Sequence, residues 1–319
     1  MSERLPDLQK TIVATVAYFD VFEYPLTSVE IWKWLYQPAG RYSLHQVVTA
    51  LADPALAGLL GQQRGFYCLS GREQNVSTRL ERYRVAKKKF AVARRGARVL
   101  RLLAFVELVA VCNNVGYNNA TPVSDVDFFI VVKKNRLWWT RLWVTLLLTL
   151  LRLRRHGTHF ADRICLSFYV ADDYLDLSGI ALQPDDPYLV YWFATLVPIY
   201  DHGGTYERLL AQNRWLQPYL PQWYPNYSND RHCVSDHAVA RLFRSVDERL
   251  LRSRRGDWLE ASAKRLQLPR VRRYFGAAAD QPDCRVVISA VMLKFHKTDR
   301  RAEYRQRWRE KLGAMTDLV

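Results

Sequence analysis

The sequence lacks the signatures of several common enzyme and transport classes. It contains no Ser-His-Asp arrangement, no P-loop and no dinucleotide-binding glycine fingerprint, and it has no repeats or low-complexity tracts. Long apolar runs are missing too. The most apolar window, LWVTLLLTLL at 142–151, is about half of the ~20 residues that a bilayer crossing needs, and arginines flank it. A buried helix is therefore predicted at this window rather than a membrane span.

Cysteine is scarce and irregularly placed. The 5 cysteines are widely spread and form no CxxC pair, and several lie in apolar runs, where a free thiol behaves as a small hydrophobe. The start, MSERLPDLQK, has no basic segment followed by an apolar stretch, so no signal peptide is predicted. His156 and His159 have no acid or cysteine at ligand spacing except Asp162, which disfavours a structural zinc site. We expect reduced thiols and a cytoplasmic protein.

Acidic residues are also few. The chain has 47 Lys and Arg against 31 Asp and Glu, which gives a formal net charge of +16. Its surface is therefore expected to attract polyanions such as nucleic acid, nucleotides or an anionic membrane face. A hydrophobic share of 49% within 319 residues predicts folded cores rather than disorder.

The pattern of residues 1–75 predicts a small winged-helix-like module. Helices are expected through TIVATVAYFDVF, from Thr27, which has the capping-box spacing to Glu30, and from Ser43 as an N-cap. The glycine-containing LLGQQRGFYCLSGR predicts a short hairpin. The face of the third helix offers DNA one strong phosphate ligand, Arg41. A DNA-binding role and a protein-contacting or structural role therefore both stay open.

A strongly basic stretch follows at 72–101. Eleven Lys and Arg face only Glu73 and Glu81 there, and apolar residues recur at helical spacing. We therefore predict a basic linking helix over 76–104. Its cationic side is either a solvated surface or a nucleic-acid contact, since like charges at this density repel unless an anion binds.

The remaining chain predicts a mixed-sheet core over 105–225 and a helical C-terminal region over 226–319. The order strand, polar loop, strand, long helix and strand is typical of a compact α/β core. PYLVYWFATLVPIY and RLFRSVDERLLRSRR are read as helical patterns, and the Pro- and Tyr-rich LPQWYPNYSND marks a boundary between the two segments. The predicted fold class is α+β.

The stretch SDVDFFIVV places two carboxylates at the start of an apolar strand. Residues i and i+2 of a strand point the same way, so Asp125 and Asp127 are expected on one face. Such close like charges repel unless a positive charge lies between them. Hard ions such as Mg²⁺ or Mn²⁺ are held by carboxylates together with phosphate oxygens. The alternative is structural: Asp125 caps a turn while Asp127 pairs with a basic neighbour.

In this context the chain resembles the nucleotidyltransferase superfamily of DNA polymerase β type. It looks closest to an uncharacterised bacterial group that joins an N-terminal winged helix to such a domain. The family pattern is a Gly-Ser pair after the first strand, a loop, and an Asp-x-Asp with apolar flanks on the second strand. The resemblance runs nearly end to end, through YFDVFEYPLT (18–27), LSGRE (69–73), NNA (118–120), KKNRLWWTRL (133–142), ICLSFYV (164–170), NRW (213–215) and LKFHKTDRR (293–301).

The resemblance implies an enzyme that transfers a nucleoside monophosphate from an NTP to an acceptor hydroxyl. Asp125 and Asp127 would be the catalytic pair and the ligands of Mg²⁺ or Mn²⁺, and the C-terminal region would cover the nucleotide. A set of loop residues would lie near the nucleotide phosphates: Asn113, Asn114, Gly116 and Ser124. The acceptor is not named by any pattern in the sequence.

Two departures from the family pattern support a second hypothesis. Asn113 and Asn114 stand where the family has Gly-Ser, although Asn tolerates left-handed backbone and can donate to phosphate. Ser167 matches the third carboxylate, which serves as general base in active members. The second hypothesis is a degenerate nucleotidyltransferase that binds nucleotide or nucleic acid without turnover, as a regulatory or adaptor protein.

Three further charged residues each have two interpretations. Arg136 and Arg141 flank the start of the apolar helix and fit surface charges better than phosphate ligands, because Arg is mostly exposed. His296, in KFHKTDRR, fits a salt-bridged helix start with Thr298 as N-cap better than a catalytic group. The aromatic clusters interleave with aliphatic residues, so they are predicted to be core rather than base-stacking platforms.

Overall fold

The structure is a computed structural model that describes residues 5–225, 232–236, 238–251, 254–281 and 285–315. Its helices are α1 (Asp7–Asp20), α2 (Ser28–Lys33), α3 (Leu44–Leu51), α4 (Asn75–Leu100), α5 (Asn113–Gly116), α6 (Leu137–Leu150), α7 (Pro187–Ala194), α8 (Thr205–Gln212), α9 (Ala238–Leu251), α10 (Arg254–Ala279) and α11 (Arg301–Gly313). Its strands are β1 (Leu26–Thr27), β2 (Leu60–Gln63), β3 (Phe66–Leu69), β4 (Val106–Cys112), β5 (Val126–Val132), β6 (Ile164–Ala171), β7 (Val197–Asp201), β8 (Val286–Ile288) and β9 (Met292–Phe295). The predicted α+β class is confirmed.

The N-terminal segment contains the expected three helices and short hairpin. Thr27 and Glu30 form a reciprocal capping box at the start of α2, and Ser43 and Gln46 form another at the start of α3. Each box satisfies backbone N–H groups that the first helical turn leaves without partners. Strands β2 and β3 pair as an antiparallel hairpin, and β1 joins β3 to complete a three-stranded sheet.

The central sheet has six strands in the order β7-β4-β5-β6-β9-β8. Neighbours pair antiparallel except β5 and β6, which are parallel and are joined through α6. A parallel pair needs such a crossover, and α6 packs on the sheet through Trp138, Val144 and Leu148. As a result, the end of β4 and the starts of β5 and β6 meet at one edge of the sheet.

Alternation along the strands divides the hydrophobic core into two clusters. Phe128 and Ile130 belong to the cluster on the side of α4, α6 and α10, whereas Phe129 and Val131 belong to the cluster on the side of α1, α7 and α11. Asp127 has the strand parity of Phe129 and Val131. Its carboxylate is therefore directed to the α7 side of the sheet.

The N-terminal module shares its core with the rest of the chain. The ring of Tyr18 in α1 stacks on Tyr191 of α7 with centroids 4.4 Å apart, and the Tyr191 hydroxyl donates to the Trp34 carbonyl at 2.9 Å. Trp308 of α11 donates through Nε1 to the Ala14 carbonyl at 2.9 Å. These aromatic side chains are buried, so they form core, as expected.

Lys89 of α4 is a buried cation within the stretch that the sequence marks as a basic face. Its side chain is 1% exposed and donates to the carbonyls of Pro122 at 2.8 Å and Ser124 at 2.7 Å. It also pairs with the Asp162 carboxylate at 2.9 Å. A buried ammonium group needs such acceptors because an unpaired charge is costly to desolvate. Lys89 thereby fixes the loop that leads into Asp125.

The second half of the chain departs from the expected pattern in two places. PYLVYWFATLVPIY is not helical throughout, because α7 ends at Ala194 and the chain continues from the β-branched Val197 as strand β7. Strands β8 and β9 are not expected from the sequence, and they bring the C-terminal segment into the central sheet. The predicted boundary at 220–230 lies partly outside the described residues, and Cys284 lies outside them.

The apolar window at 142–151 forms most of α6 and buries one side against the sheet, as predicted. Among the residues described, no helix has both the length and the apolar character that crossing a bilayer requires.

We expect Lys89→Met to lower the free energy of unfolding by roughly 2–4 kcal/mol, because two carbonyls and a carboxylate lose a shared buried donor. Lys88→Met, at the neighbouring exposed position, is the matched control and should change it by no more than about 0.5 kcal/mol. Urea titrations followed by circular dichroism measure both values. Equal effects of the two substitutions would contradict the structural role of Lys89.

Candidate functional site

A cleft with a volume of about 1010 Å³ opens at the sheet edge where β4 ends and β5 and β6 begin. Strand β4 passes into the short helix α5 at Asn113, and β5 starts one residue after Asp125. Asp127 pairs in register with Cys112 of β4 and with Cys165 of β6. Asn113, Asp127 and Cys165 all line the cleft.

The two predicted carboxylates lie close together, and a thiol joins them. A carboxylate oxygen of Asp125, one of Asp127 and the Sγ of Cys165 lie within 4.8 Å of one another. The Arg155 Nη1 donates to the Asp125 Oδ2 at 2.6 Å, and its guanidinium lies 4.3 Å from the centre of the Phe160 ring. Arg155 thus supplies a positive charge beside the pair.

The carboxylate of Asp127 is held in an unfavourable environment. Burial, and after it the negative charge of Asp125, raises the pKa of Asp127 to about 6. Hydrogen bonds from Asn113 and Cys165 and the positive charge of Arg155 act in the opposite direction without cancelling the effect. A cation bound at the pair would favour the ionised form and relieve the repulsion.

The donor set fits one hard divalent ion. Carboxylate oxygens are the protein ligands that Mg²⁺ and Mn²⁺ prefer, and substrate phosphates commonly complete the shell. Burial and the charge of Asp127 raise the pKa of the Cys165 thiol well above its ordinary value, so it is protonated at neutral pH and is a poor ligand for such an ion. Asp125 and Asp127 are therefore the two residues that can hold Mg²⁺.

The residue beside the carboxylates on β6 is Cys165 rather than Ser167. The β5–β6 pairing shifts register between Asp127 and Phe129, and one extra β6 residue falls between Cys165 and Phe168. Ser167 instead brings its hydroxyl to 3.1 Å from the Nε2 of His296. The sequence alignment with the family pattern therefore misses the neighbour of the carboxylate pair by two residues.

Nearby aspartates do not supply a third carboxylate either. Among the described residues, the group of possible metal ligands consists of Asp125, Asp127 and Cys165, so it contains only two acids. Each of the other candidates is paired elsewhere: Asp162 with Lys89, Asp172 with Lys133 and Asp173 with Lys134.

Asn113 has a left-handed backbone conformation at the end of β4. Its φ is 54°, in the left-handed region that Asn tolerates better than most residues. Its side chain donates to the Asp127 carboxylate, and its Oδ1 accepts from the Tyr188 hydroxyl at 3.3 Å. Asn113 therefore forms the turn after β4 and also orients the Asp127 carboxylate.

The other predicted phosphate-loop residues do not line the cleft. Asn114 is exposed, and its carbonyl accepts a backbone N–H at 2.7 Å. Gly116 packs so tightly that a Cβ would lie 3.0 Å from the Thr195 carbonyl oxygen. The Ser124 hydroxyl accepts the Thr121 N–H at 3.0 Å. These three residues shape the loops around the site.

The two arginines of the α6 start differ in role. Arg136 is structural, since its Nη1 pairs with Asp257 at 2.8 Å and its Nη2 donates to the Leu251 carbonyl at 2.8 Å. Arg141, in contrast, lines the cleft. The expectation of surface charges is therefore wrong for both, since Arg136 is buried and Arg141 is only partly exposed.

His296 also lines the cleft instead of starting a helix. Helix α11 begins at Arg301, and the residue before it caps no backbone N–H with its side chain, so Thr298 is not an N-cap. Burial and the charge of Lys294 lower the pKa of His296 to about 3. Its imidazole is therefore neutral at physiological pH.

Arg155 and Cys165 are site residues that sequence reasoning does not identify. Arg155 lies in the basic run RLRRHG, where no spacing distinguishes it from a surface charge. Cys165 lies in the ICLSFYV segment of the family resemblance, which was the available signal.

We expect Asp127→Asn to raise the free energy of unfolding at pH 8, in EDTA, by roughly 1–3 kcal/mol. Because the folded-state pKa of Asp127 is raised, ionisation costs the native state stability as pH rises from about 4 to about 6. The amide does not titrate, so the gain is complete above pH 6 and disappears near pH 4. Urea titrations at the two pH values measure it, and a gain independent of pH would contradict the assignment.

Comparisons with known proteins assign no family to the chain. No protein-family model, curated protein or solved structure matches it. The paired carboxylates, the neighbouring Cys165 thiol and the seven Lys and Arg side chains of the cleft are therefore the features that bear on function.

Proposed function

We propose that the protein is a nucleotidyltransferase of DNA polymerase β type, which transfers a nucleoside monophosphate from an NTP to an acceptor hydroxyl. The observation that carries this proposal is the pair Asp125 and Asp127, one with a pKa raised to about 6, beside a cleft lined by seven Lys and Arg side chains. The cations favour a polyphosphate, and the carboxylates favour a divalent ion that accompanies it.

The chain's own groups can bind and orient the triphosphate. Arg155 lies beside Asp125, and a guanidinium binds phosphate oxygens through two parallel hydrogen bonds. Asn113 keeps Asp127 oriented in the cleft. Mg²⁺, when bound, neutralises charge on the transferring phosphate. Positioning and charge stabilisation then account for most of the rate enhancement.

Proton removal from the acceptor is the weak step of this mechanism. The Cys165 thiol is held neutral, and no third carboxylate adjoins the pair among the described residues. The imidazole of His296 lies 3.1 Å from the Ser167 hydroxyl, but its low pKa makes it a poor base. We therefore expect slow turnover compared with an enzyme that has three carboxylates.

A second candidate function is nucleotide or nucleic-acid binding without turnover. The observation that favours it is the Cys165 thiol in the place next to Asp127, where a general base would be needed. The ion pair between Arg155 and Asp125 also neutralises one carboxylate without any metal. A protein of this kind would act as a regulatory or adaptor protein.

Helix α4 offers such an adaptor a cationic surface. Four exposed cations share one face of the helix: Arg84, Lys88, Arg95 and Arg98. At 1.5 Å per residue they span roughly 21 Å, a length that suits a nucleic-acid backbone with several phosphates.

We also propose that the protein works in the cytoplasm. Cys68, Cys112, Cys165 and Cys233 all carry free thiols, as is typical of proteins in a reducing compartment.

The transferase proposal is tested by nucleotide incorporation. Purified protein is incubated with each labelled NTP, Mg²⁺ or Mn²⁺, and a mixed pool of RNA, protein and small-molecule acceptors. We expect label transfer that falls at least 100-fold in the Asp125→Asn/Asp127→Asn variant, because both metal ligands lose their charge. Asp280→Asn, at an exposed position outside the cleft, is the control and should retain full activity.

Absence of label transfer under every condition, with NTP binding intact, would reject the transferase and favour the binding function. Transfer that the double variant retains would show that the carboxylates are not the catalytic pair.

Nucleic-acid binding on α4 is tested by its salt dependence. Replacing Arg84, Lys88, Arg95 and Arg98 by Gln should weaken single-stranded RNA binding and reduce the slope of log K against log salt by about 3, since each lost phosphate contact contributes about 0.7 for a single strand. Arg41→Gln on the N-terminal module is the control. A slope unchanged by the four substitutions but reduced in the control would assign binding to that module instead.

A further inference from the structure

The cations of the cleft fall into two groups. Four of the seven have carboxylate partners, and these pairs account for their charge: Arg155 with Asp125, Lys294 with Asp299, Arg300 with Glu303, and Arg301 with Asp186 and Asp299. The other three are Arg141, Arg154 and Lys297. Within the described part of the chain, no carboxylate forms an ion pair with any of these three.

Two of the three cations without carboxylate partners lie over a pair of stacked aromatic rings. Phe275 and Phe295 stack with centroids 4.8 Å apart. The Arg141 guanidinium lies 5.2 Å from the centre of the Phe295 ring, and the Lys297 ammonium lies 5.4 Å from the centre of the Phe275 ring. The rings therefore hold two cations side by side without neutralising either charge.

Arg141 and Arg154 are close enough to affect each other. Burial lowers the pKa of Arg141, and the positive charge of Arg154 lowers it further. Arg141 donates through Nη1 to Gln267 at 2.6 Å, but its buried Nε has no hydrogen-bond partner. A guanidinium that is partly buried, unpaired with an acid and next to a like charge is unfavourable unless an anion binds.

Tyr169 adds a second unsatisfied group at the same place. Its side chain is fully buried, and its hydroxyl has no hydrogen-bond partner. Both Arg141 and Arg154 interact electrostatically with this hydroxyl, which places it beside them. The Tyr169 hydroxyl and the Arg141 Nε therefore offer a bound anion two hydrogen-bond donors that no protein group uses.

This group lies across the sheet from the carboxylates. Tyr169 belongs to the hydrophobic cluster on the α6 side, with Phe128, whereas Asp127 is directed to the α7 side. The cleft reaches both sides of the sheet because strand β9 ends at Phe295 and leaves the start of β6 uncovered. The unpaired cations therefore form a separate end of the cleft.

We propose that Arg141, Arg154 and Lys297, with Tyr169 beside them, form a phosphate-binding subsite at this end of the cleft. The inference deepens the proposed transferase function, on which it rests for the source of the phosphate. That source is either the terminal phosphates of the NTP or a phosphate of the acceptor. Two guanidiniums match phosphate geometry through paired N–H donors, and the ammonium adds a point charge.

The subsite is tested first with inorganic phosphate and inorganic tripolyphosphate, by calorimetry of the full chain in EDTA at low salt. We expect Arg154→Gln/Lys297→Gln to raise the Kd for tripolyphosphate at least tenfold, because each charge-assisted contact is among the stronger hydrogen bonds. Arg64→Gln/Arg214→Gln, at exposed positions outside the cleft, removes the same charge elsewhere and is the matched control, with a Kd within about twofold of the unmodified protein.

Arg141→Lys and Tyr169→Phe extend the test to the buried members. Arg141→Lys keeps the charge but loses the paired donors, so tripolyphosphate binding should weaken while the thermal midpoint stays close to that of the unmodified protein. Should either variant fail to fold, the Arg154→Gln/Lys297→Gln protein still decides the question, because Lys297 is exposed and Arg154 partly so. Unchanged affinity in that protein, or no phosphate binding by the unmodified chain, would overturn the proposal.

The source of the phosphate is distinguished by three further ligands. Weakened binding of NTP with unchanged binding of the nucleoside monophosphate assigns the subsite to the terminal phosphates of the nucleotide. Weakened binding of a 5′-phosphorylated oligonucleotide, with NTP affinity unchanged, assigns it to the acceptor.

Asp127→Asn separates this inference from the transferase proposal. The variant should bind tripolyphosphate in EDTA within about twofold of the unmodified protein, because Asp127 is directed to the other side of the sheet. Phosphate binding without any label transfer would keep the subsite and reject the transferase. Label transfer without metal-free phosphate binding would do the reverse.

Discussion

The ammonium group of Lys89 is the contact on which the carboxylate site depends. It reaches from α4 to two carbonyls in the loop before β5, and it pairs with Asp162 just before β6. Asp125 and Cys165 follow directly from those two segments, which the Val126 N–H also joins through its hydrogen bond to the Arg163 carbonyl at 2.8 Å. Lys89 thus links α4 to the starts of β5 and β6. It helps to position Asp125 and Asp127 without contacting either carboxylate.

Charge is distributed unevenly along the cleft. One end has two carboxylates with a single arginine as counter-ion, and the other has cations without acids. A ligand that carries both signs, such as a polyphosphate with a divalent ion, has only one favourable orientation in such a field. Burial and the charge of Asp125 raise the pKa of Asp127, so ionisation of this carboxylate lowers the stability of the folded protein.

Short-range sequence patterns correctly predicted structural features that depend on neighbouring residues. The capping boxes at Thr27 and Ser43 and the closeness of Asp125 and Asp127 follow from spacings of two or three residues, and all are present. Long-range features could not be predicted in this way. Helical periodicity does not reveal that Lys89 points inward, since its acceptors are distant carbonyls. The place of Cys165 depends on a register shift between strands, and strands β8 and β9 depend on the pairing of β9 with β6, in which Met292 lies opposite Val170.

The contact between α1 and α11 has a consequence for how the chain is made. Trp308 donates to the Ala14 carbonyl and packs edge-on against Tyr18, with ring centroids 5.9 Å apart. The hydrophobic core of the N-terminal module is therefore completed by a residue that lies 294 positions later in the chain. During translation, which runs from the N-terminus, the aromatic face of α1 stays incomplete until α11 has left the ribosome. The N-terminal module is thus synthesised before the central sheet but completed after it.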